Sequence, residues 1–564
     1  SATRLAGRIQ QQWHKGVLLK NLFQHQTLIQ QAKLIDETED QNTSLETLPE
    51  ASRLRPLVRE DHERWPLSYA QQRLWLLDQI EGNSSAYHMP AALRLRGQLN
   101  VEALRQALDD LLVRHESLRT VFKTDGQGQV WQEIRPVQCC PFSTLELNED
   151  EQGTQEEVIA AWLEEEQGRP FDLSEDLMIR AGLIRVGKEE HILSVTLHHI
   201  ASDGWSMGIL VNEFSRSYAD RSQGKEVVLP ALEIQYADYA WWQRNWQQEH
   251  VFEPQLAYWE EQLKGLPQVH QLPLDGPRPA QQSYRGAVVN SRIEEALLEK
   301  LKQSCQKTGA TLFMGLHAAL TTLLARYSGE QDIVVGTPVA NREQSEIAGL
   351  IGFFVNTLVL RSQRDSDWNW EEALQASQRL LLEAYAHQQV PFEQVVERLQ
   401  PERNLSHSPL FQIMLVLQNN EEGNLSLPGL NIEGMQGNNR VAKYDLTVSI
   451  HEESGHAGGL QFSWEYNTDL FTEEKITGLA KHFTVLLEGL LLPENQEKPL
   501  SQIPLIIGEE RRRIVEDWNA TAQAYDQTRC VHELFEACVM ANPEAIAVEY
   551  KESHLSYGEL DKQA

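Results

Sequence analysis

The stretch Leu197–Gly208, LHHIASDGWSMG, sets two histidines side by side, with an Asp-Gly beginning four residues after the second. The apolar, β-rich run HILSVTLHHI reads as a strand, and neighbouring strand residues point to opposite faces. One of His198 and His199 therefore enters the core while the other enters a cleft. An imidazole with an unperturbed pKa can move or orient a proton there. His198, His199 and Asp203 also look like a metal ligand set, but adjacent strand residues diverge and no third His or Cys follows at close spacing. Ser202 and Ser206 lack the glycine pattern of a nucleophile elbow. Gly204 lets the backbone turn sharply into a following helix, and Asp203 can cap that helix, bond a backbone amide or pair with an arginine. The plainer reading, two satisfied structural histidines and a capping aspartate, is the commoner use of an isolated pair.

The elements around this stretch are mixed. AQQRLWLLDQI and VEALRQALDDLLVRHESL have helical periodicity, and MPAALRLRGQLN alternates as a strand. GWSMGILVNEFSRSYADR and QYADYAWWQRNWQQEH follow as helices. The second half has the same mixture, with helices over TLFMGLHAALTTLLARYS and NWEEALQASQRLLLEAYAHQQ, and strands over DIVVGTPVA, GFFVNTLVLRS, PLFQIMLVLQN, YDLTVSIHEES and GLQFSWEYNTDLF. This texture predicts two α/β lobes, at 65–245 and 246–495. Residues 1–35 read as helical, with Leu5, Ile9 and Trp13 on one face. The segments 36–64 and 496–526 read as linkers, and 527–564 is too short to close a core.

Composition narrows the classes. A chain of 564 residues with 41% hydrophobic residues and 14 tryptophans supports several folded parts. A formal charge of −32 disfavours nucleic acid and anionic membranes as partners. No run is long and apolar enough to span a bilayer, and SATRLAGRIQQQW lacks a signal-peptide core. Five cysteines form neither a metal nor a disulfide pattern, which points to a reducing cytoplasm.

LHHIASDGWSMG resembles the HHxxxDG signature of nonribosomal peptide synthetase condensation domains. Alone, it also suits other acyltransferases of the chloramphenicol-acetyltransferase-like fold. Six further segments resemble that family in order: LSYAQQRLWLL (67–77), RHESLRTVF (114–122), YADYAWW (236–242), IGFFVNTLVLR (351–361), HQQVPFEQVV (387–396) and RNLSHSPLFQ (403–412). The resemblance covers about residues 65–495. Residues 1–35 resemble the C-terminal part of a peptidyl carrier domain, and 527–564 the start of an adenylation domain.

The resemblance implies an α/β fold of two chloramphenicol-acetyltransferase-like lobes in a V-shaped pseudo-dimer, with the active site in a tunnel between them. It implies amide formation: an acceptor aminoacyl-carrier amine attacks a donor thioester. Each substrate rides on a 4'-phosphopantetheine arm of a donor or acceptor carrier domain, and no metal is required. The motif residues are His198, His199, Asp203 and Gly204. His199 matches the catalytic histidine, His198 reads as a core residue, and the Gly204 amide is positioned to steady negative charge. Asp203 is expected to pair with Arg119, or else Arg114. Asn356, Ser206 and Trp205 are expected at the tunnel, and YADYAWW as packing. Leu358 after FVNT leans toward an L-configured donor. An epimerisation domain and a silent partner-docking module are the alternatives; the first shares the motif, and the second usually loses its histidines.

Overall fold

Small polar residues placed just before apolar runs start the helices. Thr27, Ser68 and Asn100 cap α1 (Leu28–Glu37), α2 (Tyr69–Glu81) and α3 (Val101–Arg114), each accepting the amide three residues on. Gly82, at φ 71°, ends α2 in the left-handed region that suits glycine. The computed structural model describes residues 5, 9, 12–13, 15, 17, 21–22, 25, 27–38, 54–59, 64–82, 85–147, 155–247, 251–365, 367–402, 404–418, 425–435, 441–453, 458–524 and 527–564.

The first lobe continues with β1 (His88–Gly97), a hairpin of β2 (Thr120–Thr124) and β3 (Val130–Ile134), then β4 (Phe142–Glu146), α4 (Gln155–Gly168), β5 (Ile179–Arg185) and β6 (Glu190–His198). Helices α5 (Gly204–Ser222) and α6 (Tyr236–Trp242) follow. Strand β6 is buried on both faces, which explains its nearly unbroken apolar run. Leu193 and Leu197 share a core with residues of α3 and α5, while Ile192 packs on the other side with Ile159 of α4. Tyr236, Tyr239 and Trp242 of YADYAWW form a buried cluster with Phe354, the packing role expected of them.

The second lobe is built from α7 (Phe252–Gln262), β7 (Gly286–Glu294), α8 (Glu295–Lys307), α9 (Leu312–Ser328), β8 (Asp332–Val339), β9 (Asn356–Gln363), α10 (Trp370–Ala386), α11 (Phe392–Leu399), β10 (Ile413–Gln418), β11 (Leu430–Gly434), β12 (Leu446–Glu453), β13 (Gly459–Asn467) and α12 (Glu473–Leu490). Its six-stranded sheet has the order β7-β13-β12-β10-β8-β9, with β10 parallel to β8 and β12. Strand β11 is the exception to a clean division at 245/246. It leaves this lobe and pairs antiparallel with β1, giving the first lobe the order β11-β1-β6-β5-β4. Gly97, at φ 126°, permits the contact, because a Cβ there would lie 2.4 Å from the Gly429 carbonyl oxygen.

The chain divides into two units, Ser1–Leu505 and Ile506–Ala564. The expected linker 496–526 is therefore wrong at its start. Leu500 and Ile503 are buried in the second lobe's core, and Arg326 donates to both of their carbonyls, at 2.9 and 2.8 Å. The earlier linker is anchored where it is described: Leu54 is buried, and Arg59 pairs with Asp238 at 2.7 Å and Glu116 at 2.9 Å. Near the N-terminus Ile9 is buried, but Trp13 is 51% exposed rather than sharing its face. The second unit holds α13 (Gly508–Arg512), α14 (Val531–Ala541), a hairpin of β14 (Ile546–Tyr550) and β15 (Ser553–Ser556), and α15 (Tyr557–Gln563). None of its described residues is buried.

Limited proteolysis should accordingly cut first within 506–530, where the described side chains are almost all exposed. Mass spectrometry of the early fragments checks this. A first cut at 496–503, or inside 200–350, would contradict the division.

Candidate active site

Strand β6 delivers His198 as its last residue, opposite His88 on β1. Its ring lies on the same side of the sheet as Ile192, edge-on to Phe171 with centroids 5.7 Å apart. His198 Nδ1 accepts the Ile200 N–H at 3.1 Å, so the ring proton sits on Nε2. Burial holds its pKa well below the ordinary histidine value. His198 is a core residue that shapes the turn after the strand.

His199 opens that turn, a 3-10 segment over His199–Ala201, and faces the other way. It lines a cavity of about 1600 Å³ between the lobes. The first lobe contributes Tyr87 and His88 among others, the second Phe353, Thr357 and Lys443. His199 Nδ1 lies 2.9 Å from the Ser202 carbonyl oxygen, an acceptor only, so Nδ1 carries the proton and Nε2 keeps its lone pair. The ring meets Phe353 edge-on at 5.0 Å. Burial, then the positive charge of Lys443, lowers its pKa to about 4 against an opposing pull from Asp203. At neutral pH His199 is a neutral hydrogen-bond acceptor.

Asp203 is fully buried at the start of α5, where its Oδ1 caps the helix by accepting Ser206 N–H at 2.8 Å. Its Oδ2 accepts the Phe354 amide at 3.0 Å. Its ion-pair partner is not Arg119 but Arg342, from the second lobe. Arg342 Nη2 donates to Asp203 Oδ1 at 3.2 Å and to Ser206 Oγ at 2.8 Å; Nη1 donates to the Ile347 and Leu350 carbonyls, both at 2.7 Å. The guanidinium stacks on Phe354 at 4.1 Å. Both side chains of the pair are wholly inaccessible. Arg119 is occupied elsewhere, donating to the Leu112 carbonyl at 3.0 Å and to the Arg135 carbonyl. Arg114 pairs with Glu213 at 2.9 Å. Asp203 and Arg342 thus tie the loop carrying His199 to the opposite lobe.

The expected tunnel residues do not line this cavity. Ser206 is fully buried, and its single hydroxyl proton is within reach of Asp203 Oδ1 at 2.8 Å and the Gly352 carbonyl at 2.9 Å. Trp205 Nε1 donates to the Ala348 carbonyl at 3.1 Å. Asn356 is buried and ties down the turn into α11, donating to the Gln388 and Val390 carbonyls and accepting the Phe392 amide. Gly204 begins α5 without a positive φ, is exposed, and also lies outside the cavity lining. Its expected role beside the reacting atoms is not supported. Among the described residues no three His, Cys, Asp or Glu side chains are grouped as metal ligands would be.

The condensation-domain family model matches residues 61–515. The chain belongs to the condensation-domain family. Its two lobes are the chloramphenicol-acetyltransferase-like halves of that fold. A linear gramicidin synthase polypeptide of Brevibacillus parabrevis is 38% identical over 565 residues, covering 100% of this chain and 7% of that protein. Malpinin synthetase of Mortierella alpina is 42% identical over 500 residues, covering 88% of this chain and 6% of that protein. The condensation domain therefore spans a small fraction of these relatives. Among solved structures, the X-domain from teicoplanin biosynthesis in complex with OxyB superposes with a TM-score of 0.73 at 30% identity, over 81% of this chain and 98% of that one. A four-domain nonribosomal peptide synthetase, holo-AB3403 bound to AMP and glycine, gives 0.74 at 23% identity, over 88% of this chain and 38% of that one. No single described helix of the condensation domain is long and apolar enough to cross a membrane.

Neutral buried histidines give the condensation domain an acid weakness. The pKa values of His88, His115, His191 and His198 are lowered, that of His199 to about 4 and that of His317 to about 3, chiefly by burial. Between the unfolded value of about 6.5 and these lower values, the unfolded chain binds more protons, so stability is full above that value and falls as pH drops below it. Glu343 and Glu465, pushed up by burial, oppose this. The urea midpoint of the first unit is expected to be lower at pH 5 than at pH 7; an equal or higher midpoint at pH 5 would contradict the assignment.

Proposed function

We propose that this condensation domain forms an amide bond between two carrier-bound thioesters, with His199 as the residue that acts on the nucleophile. The observation that carries the reading is the His199 ring: Nδ1–H anchored on Ser202, Nε2 unprotonated, on a wall of a cavity large enough for two acyl chains. The acceptor amine attacks the donor thioester carbon, and the carbonyl π pair moves to oxygen. Nε2 accepts the proton that the new C–N bond makes acidic. The carbonyl re-forms, the C–S bond breaks, and the thiolate takes the proton from the imidazolium. Holding both thioesters in one cavity supplies the largest gain, since effective molarities of about 10⁵–10⁸ M are reached by well-oriented pairs.

The arms are the 4'-phosphopantetheine groups of donor and acceptor carrier domains, and an adenylation domain in the same polypeptide supplies the acceptor. Residues 1–35 are read as the tail of one carrier and 527–564 as the start of that adenylation domain. The donor end is read as L-configured; Leu358 is buried in the second lobe and would act through packing, whereas its neighbour Thr357 lines the cavity. A reducing cytoplasm suits the five free cysteines.

One observation favours a second reading, a silent docking module: the likeness to an X-domain solved with a bound partner. Retention of both histidines favours catalysis. The test supplies the chain with separately loaded donor and acceptor carriers and reads product mass and chirality. A lengthened thioester on the acceptor carrier with unchanged Cα configuration is expected. A shifted D/L ratio would support epimerisation, and no turnover together with tight binding of a partner would support docking.

A further inference from the structure

The cavity holds four cations besides its histidines: Arg73, Arg244, Arg398 and Lys443. Three are engaged. Arg73 approaches Glu393 at 3.5 Å and lies over Phe392; Arg244 stacks on Tyr69 at 3.6 Å and donates to the Leu67 carbonyl at 2.8 Å; Arg398 pairs with Glu253 at 2.7 Å. Lys443 differs. Its ammonium sits 4.8 Å from the centre of the Tyr87 ring, and no described carboxylate comes within ion-pair distance, 4.0 Å, of Nζ. The acidic group that acts on it is Glu465: the two charges attract each other, and the Glu465 carboxylate also meets the Lys443 backbone amide.

The backbone that presents Lys443 is fixed on both sides. Gln282 donates to the Lys443 carbonyl at 3.0 Å, and the Ala442 amide bonds the Tyr284 carbonyl at 2.9 Å. Two residues on, Asp445 accepts from His270 at 2.9 Å and from Arg278. A cation on a pinned backbone, in the cavity that His199 lines and close enough for its charge to act on that ring, is placed to meet negative charge formed there.

We propose that the Lys443 ammonium stabilises the oxyanion formed when the amine attacks the donor thioester. The inference rests on the amide-forming reading above. As the C–N bond forms, the carbonyl π pair becomes a lone pair on oxygen, and Lys443 neutralises it without giving up a proton. The pair returns when the C–S bond breaks. The same positive charge makes the His199 imidazolium a stronger acid, which hastens return of its proton to the departing thiolate. A fixed donor or cation facing a developing oxyanion is worth about 10²–10³-fold in rate.

The ionisable groups that interact with the Lys443 charge are Glu465, Arg73, His198, His199 and Tyr87, with Tyr444 next along the chain. Burial lowers the Lys443 pKa to about 8, so its charge is lost in mildly alkaline solution. The experiment is the single-turnover rate between pH 6.5 and 9.5, with both carriers preloaded, for wild type, Lys443→Met and Lys443→Arg. Wild-type rate should rise as the amine deprotonates and then fall above about pH 8. Lys443→Met should be slower by about 10²–10³-fold with an unchanged melting temperature. Lys443→Arg should keep more activity and lose the alkaline fall. Amide formation by wild type without an alkaline fall would overturn the proposal, as would Lys443→Met at the wild-type rate, or Lys443→Arg as slow as Met with the fall retained. The wild-type profile decides alone if a variant fails to fold. Absence of any amide from wild type would instead sink the parent reading.

Discussion

Arg342→Ala is expected to destabilise the first unit by about 3–5 kcal/mol, the cost of leaving one member of a buried ion pair uncompensated. The setting leaves little room for relief. Asp203 and Arg342 are both wholly buried, and the guanidinium also holds two carbonyls of its own loop. Asp203→Ala should cost a similar amount and also remove the cap of α5. A double-mutant cycle isolates the pair: coupling between Asp203 and Arg342 should reach about 0.5–3 kcal/mol, with none between Asp203 and Arg119. Urea unfolding of the four proteins in each cycle reads this out. Coupling to Arg119 and none to Arg342 would reverse the assignment. Because the pair joins the lobes, its loss should lower activity only in step with the folded fraction.

His199→Ala should behave in the opposite way. The ring faces the cavity and makes one hydrogen bond to the backbone, so its removal should barely change the melting temperature. The rate of amide formation should fall by about 10²–10⁴-fold, the usual worth of a positioned acid–base group. Its low pKa makes the imidazole a weak base in the ground state. It is better suited to accept a proton once the new bond has acidified it than to deprotonate an ammonium beforehand. His198→Ala, by contrast, removes a buried ring packed on Phe171 and is expected to lower stability first.

The opposite fates of His198 and His199 were legible because strand alternation is local: the buried run ends at His198, and the next side chain must turn the other way. The capping role of Asp203 was legible for the same reason. Its arginine was not, since Arg342 lies 139 residues away and only the packing of the lobes brings it near. Asn356, Ser206 and Trp205 were misread because motif membership does not say which way a side chain points; all three bond backbone carbonyls around the site instead of facing the cavity. Strands β7 and β11 bury little: one residue of β7 is buried and none of β11, so neither has the apolar signal that marks β6. Lys443 carried no signal either. A lysine before an apolar run is ordinarily solvent-facing, and its place in the cavity follows from sheet order.

The most direct measurement is single-turnover transfer from a loaded donor carrier to a loaded acceptor carrier, followed by intact mass on wild type and His199→Ala at matched folded fraction. Wild type should lengthen the acceptor-bound acyl chain by the donor unit, and His199→Ala should do so about 10²–10⁴ times more slowly. Equal rates in the two proteins, or no lengthened product from wild type, would contradict an amide-forming site at His199.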